Sequence, residues 1–90
     1  MINIDSFIRT TINTLKKITV NDSIDIRPFK KDRKILIIKN ENSFDVIEDG
    51  FFQCEYRDLK LDKLNKLLKT LKKREFPRSS KLWFNIISSH

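Results

Sequence analysis

Catalytic chemistry has few carriers among these 90 residues. The single histidine, His90, is the last residue, where a chain end frays, and the single cysteine, Cys54, has no core-held histidine to activate it, so the pattern argues against a nucleophilic triad. Asp45, Glu48, Asp49 and Glu55 lie close together, and grouped carboxylates can move protons or hold a hard cation. Their setting argues otherwise: Asp49 precedes Gly50 in a turn signal, and the others read as the solvated face of a hairpin. One glycine cannot build a phosphate-cradling loop, and ligands for a zinc site are too few. The expectation is a non-enzymatic protein without catalytic residues, metal or cofactor.

The basic residues carry more. The formal net charge is +7, and it is not spread evenly. Residues 1–59 hold ten Lys and Arg against ten Asp and Glu, whereas residues 60–90 hold nine against two. Lysine covers ordinary solvated helix faces, and a chain rich in Lys, Asn and Ile reflects biased composition, but composition alone would not leave the first two-thirds neutral. Lys66, Lys69 and Lys73, followed by Arg74, Arg78 and Lys81, can present cations along roughly 20 Å, the reach of several successive phosphates. The expected partner is a nucleic acid, RNA ahead of DNA, or another polyanion.

A helix must hold these cations in line. Leu61, Leu64, Leu68 and Leu71 form a stripe at helical spacing with Leu67 beside it, which predicts a helix over Leu61–Arg74 whose opposite side carries Lys66, Lys69 and Lys73. Asp62 suits its first turn, Lys72, Lys73 and Arg74 its last, and Pro77 stops it by about Glu75. A second stripe, Ile4, Phe7, Ile8, Ile12 and Leu15, predicts an N-terminal helix over Asn3–Ile18, with Asn3 or Asp5 as cap.

Between the helices the pattern alternates with a period of two, predicting a four-stranded antiparallel meander. Ile24 and Ile26 mark the first strand, placed at an edge because Pro28 lacks a ladder donor. A three-residue turn Glu48-Asp49-Gly50, with glycine left-handed, pairs Val46 with Phe52 and Phe44 with Cys54. The buried face is then Phe44, Val46, Phe52, Cys54 and Tyr56, joined by Leu36 and Ile38 through a turn at Asn40-Glu41-Asn42. Ile35, Ile37, Ile47 and Phe51 are left together on the other face, with Phe29 as a candidate extension, an apolar patch suited to a homodimer or a protein partner, the alternative to polyanion binding. After Pro77, Leu82, Phe84 and Ile86 alternate with Lys81, Trp83 and Asn85 as a C-terminal strand.

The order is thus α-β-β-β-β-α-β, an α+β fold within one domain spanning 1–90, too short for a second core. No apolar run reaches the roughly 20 residues of a membrane span, and an unpaired Cys54 suits a reducing compartment, so the expected location is cytoplasmic. A helix, an antiparallel meander and a second helix is similar in order to small RNA-binding domains such as double-stranded-RNA-binding domains and the Alu-domain proteins of the signal recognition particle. The glycine-and-lysine signature that opens the second helix of the former is replaced here by Asp58-Leu59-Lys60-Leu61, and the strand after Pro77 is additional, so no site residue follows from the likeness.

Overall fold

The leucine stripe does what its spacing requires. In the computed structural model, which describes residues 1–89, Leu64, Leu68 and Leu71 are fully buried on helix α2, Leu61–Glu75, while Leu61 at its first turn stays exposed. Helix α1, Phe7–Lys17, follows a short 3-10 turn at Ile4–Ser6 and buries Phe7, Thr11 and Leu15. Neither helix has a side-chain cap, and the expected cap Asn3 instead ends a two-residue strand, β1, Ile2–Asn3. The strands β2 Ser23–Pro28, β3 Lys34–Lys39, β4 Phe44–Asp49, β5 Gln53–Leu59 and β6 Lys81–Ile87 complete a six-stranded antiparallel sheet in the order β1-β6-β2-β3-β4-β5. The α+β class and the helix–meander–helix–strand order stand, with β1 added.

One core forms between the helices and one face of the sheet. It joins Phe7, Leu15, Leu64, Leu68, Leu71 and Phe76 to Ile24, Ile26, Ile35, Ile37, Val46 and Leu82. Phe7 and Phe76 meet edge to face at 5.7 Å, fastening α1 to the end of α2.

Three expectations about register give way. The turn between β3 and β4 is Asn40–Ser43, closed by the Asn40 amide donating to the Ser43 carbonyl, so Ile37 rather than Leu36 faces Val46. That single-residue difference exchanges the faces: Ile35 and Ile37 are core at 0% exposure, and Leu36 and Ile38 lie outside. The expected patch of Ile35, Ile37, Ile47 and Phe51 is therefore dissolved, with Ile47 half-buried on the outer face and Phe51 in a turn. The turn between β4 and β5 is Gly50-Phe51-Phe52, so Val46 pairs with Tyr56, four residues beyond the expected Phe52. An even shift keeps Phe44, Val46 and Tyr56 on the helix side but puts Phe52 into the turn and leaves Cys54 exposed. Finally, β2 is not an edge, because β6 inserts beside it; Pro28 ends the strand opposite Leu82. His90 lies outside the described residues.

Gly50 is not left-handed; positive φ occurs instead at Asn21, Lys31 and Asp58. Its reason is proximity. A Cβ there would overlap the Glu75 carboxyl and press on Arg33 Cβ at 3.1 Å, so only glycine lets the turn close over the end of α2.

Candidate nucleic-acid interface

The outward side of α2 presents Lys66, Lys69 and Lys73 exposed, as helical spacing requires. None of their ammonium groups meets an acid or a carbonyl among the described residues. Arg74 departs from the expected group of cations. It turns inward and donates from Nε and Nη2 to the Glu48 carboxylate at 2.9 and 2.7 Å, and from Nη2 to the Tyr56 hydroxyl at 3.0 Å. Glu48, expected at the solvated hairpin, is 1% exposed. Beside it Glu75, equally buried, accepts from the Phe51 and Phe52 amides at 2.9 and 3.4 Å. Arg33 donates to the Glu75 backbone carbonyl at 2.9 Å, satisfying an orphan acceptor at the C-terminus of α2.

Two carboxyls so close cannot share the same state easily. Burial raises Glu48, but the Arg74, Glu75 and Tyr56 hydrogen bonds outweigh it and hold Glu48 below the usual range as the carboxylate. Glu75 is raised, first by burial and then by its hydrogen bond to Glu48, against the lowering effect of the two amides. Tyr56 is pushed up to about 12, by burial and by the Glu48 charge that its hydroxyl faces. These groups are a structural cluster that fixes the turn, and each of their polar bonds points inward.

Arg78 and Lys81 separate from the helix lysines and join a different group. Antiparallel pairing brings the β2–β3 turn, the β4–β5 turn, the start of β6 and the end of α2 to one end of the sheet. An open cleft of about 700 Å³ lies there, lined in part by Pro28, Phe29, Lys30, Arg33, Arg78 and Lys81. Asp32 is its one exposed acid among the described residues. At its rim the Phe29 ring stacks on Trp83, centroids 6.3 Å apart and planes 21° apart, and the Trp83 indole N–H donates to the Phe29 carbonyl at 3.1 Å. Lys31 Nζ sits 4.5 Å from the indole centroid, a cation–π contact. Phe51 and Phe52 meet edge to face at 5.0 Å in the neighbouring turn, with the Arg74 guanidinium 4.8 Å from the Phe52 ring.

Of the six basic residues singled out from the sequence, five are exposed and Arg74 is withdrawn. Lys30 and Arg33 were missed, and Phe29, expected to extend the apolar patch, instead lines the basic cleft, although the meander itself held the signal: in an antiparallel sheet the first and third turns fall at the same end, and Phe29 and Phe51 occupy those turns. No group of acids, cysteine and histidine that could hold a metal occurs among the described residues, and no helix there is long and apolar enough to cross a membrane. No protein-family model matches this chain, and no curated protein or solved structure matches it either, so the functional reading rests on geometry.

Proposed function

We propose that this protein is a non-enzymatic nucleic-acid-binding module, RNA ahead of DNA, that grips phosphates with the outer side of α2 and the basic cleft at its end. The observation that carries this is the division of the cations. Arg27, Arg57 and Arg74 each have a carboxylate partner, Arg33 binds the end of α2, and Lys39 and Lys60 donate to backbone carbonyls. Among the described residues Lys63, Lys66, Lys69, Lys72, Lys73, Arg78 and Lys81 have none of these, and while Arg9, Lys16, Lys17, Lys30 and Lys34 have none either, these seven crowd one helix and the segment that follows it. Like charges left together cost folding energy, and an external polyanion is what offsets that cost.

Filter binding with RNA and DNA pools tests the reading. Four to six phosphate contacts give a log–log salt slope of roughly −3 to −5, and replacing Lys66, Lys69 and Lys73 together by Glu abolishes retention for all sequences alike. No retention of either pool at about 50 mM salt overturns it.

A further inference from the structure

We propose that the aromatic end of the sheet selects unpaired nucleic acid, stacking bases on Phe29 and Phe51 while the cleft cations hold the flanking phosphates; this rests on the nucleic-acid reading above. Phe29 is 69% exposed and Phe51 64%, the largest exposures among the apolar side chains of the described residues. A turn needs no aromatic ring, and water disfavours both. Yet both turns are built to hold theirs out. Phe29 is backed by Trp83 through a ring stack and an N–H to carbonyl bond, so its remaining surface stays open without the ring being mobile. Phe51 stands edge-on to Phe52, and the amides of both donate to a buried carboxyl on α2. The two turns are separated by two inter-strand spacings, about 10 Å, so both can serve one strand.

The neighbours say what the rings are for. Lys30, Arg78 and Lys81 line the cleft beside Phe29, against the one exposed acid Asp32, while Arg33 in the same lining is held by Glu75. Cations beside aromatic platforms fit a polyanion that carries flat rings of its own. In a duplex those rings are already stacked on each other and offer no free face, whereas unpaired bases splay onto aromatic side chains. The exposed lysines of α2 make no such distinction, since phosphates are present in both forms.

Fluorescence anisotropy with three probes separates the two layers of the argument: a labelled single strand of about 12 nucleotides, within the usual range of site sizes, its duplex, and inorganic polyphosphate as a competitor without bases. The single strand should bind at least tenfold tighter than the duplex. Phe29→Ala should weaken the single strand by roughly 5- to 150-fold, the usual range for losing one stacked base, and leave duplex and polyphosphate unchanged. Phe51→Ala should act in the same direction, and both substitutions lie on exposed rings, with circular dichroism confirming the fold. Trp83, the only tryptophan, should change its emission with the single strand and not with polyphosphate. Equal affinity for single strand and duplex, or a Phe29→Ala variant that binds the single strand as the parent does, overturns the stacking proposal while phosphate binding stands; the rings then belong to a protein contact. Failure to bind any probe removes the nucleic-acid reading and this proposal with it.

Discussion

The two ends of the sheet are made from similar residues and finished differently. At the end where β2 begins and β3 finishes, charged side chains tie backbone to backbone. Lys39 Nζ donates to the Leu15 and Ile18 carbonyls at 2.6 and 2.8 Å, Asp22 accepts from the Ser89 and Thr19 amides and the Thr19 hydroxyl, and Asp45 accepts from the Asp58 amide. At the opposite end the ties are buried among Arg74, Glu48 and Glu75, and above them stand open rings with Lys30, Arg78 and Lys81, which have no acid or carbonyl partner among the described residues. A stable fold needs the first arrangement. The exposed part of the second adds nothing to the fold, and it is there that we propose binding.

Substitutions at each end sharpen this contrast, the largest effect first. Arg74→Met leaves Glu48 buried without a cationic partner, and losing one member of a buried pair typically costs about 3–5 kcal/mol. Urea denaturation should show that loss; a change below about 1 kcal/mol would mean that the cluster is as open as the rings above it. At the closed end, Lys39→Met removes charged donors from the last turn of α1 and should cost about 1.5–3 kcal/mol by the same measurement, with no effect on polyanion binding.

A smaller effect separates the ends by pH. Asp22 is held below its ordinary value of 3.8, first by the Ser89 amide and then by Thr19, so it stabilises the fold at neutral pH and that contribution is lost as pH falls through the lowered value. Glu75 runs the other way. Its value is raised from 4.5 by burial and by Glu48, so the fold favours its protonated form and loses stability as pH rises from about 4.5 through the raised value. Denaturation midpoints measured from about pH 3 to 8 should therefore flatten on the acid side in Asp22→Asn and on the neutral side in Glu75→Gln. Glu75→Gln keeps one acceptor oxygen, enough for the shorter Phe51 bond but not for the Phe52 amide as well, so its nucleic-acid binding should change little if the Phe51 turn holds.

Where one periodicity dominated, the sequence was easy to read. Leu64, Leu68 and Leu71 could face only one way, and so Lys66, Lys69 and Lys73 could face only the other. The strand Ile35-Leu36-Ile37-Ile38 has no polar residue to mark its outer side, so the parity of β3 hung on the length of the Asn40–Ser43 turn, which the sequence leaves open by one residue. The β4–β5 register was illegible for another reason: Glu48 sits on the core face as a charged residue, and what makes that tolerable, Arg74, is 26 residues away. The same distance hid the departure of Arg74 from the basic face. The cleft joins residues from Met1 to Lys81 and had no local pattern at all.

Gly50 has a consequence for the order of folding. Its turn closes onto the Glu75 carboxyl, which takes the Phe51 and Phe52 amides from 24 and 23 residues further along the chain. The hairpin can therefore zip from Val46 and Tyr56 early, but the turn that joins its strands acquires its partner only when the last residue of α2 is helical and docked. Non-local closure of that kind comes late, because the entropy of the intervening loop must first be overcome. The tip of the hairpin is the last part of it to set, and loosening Glu75 would speed unfolding more than it slows folding.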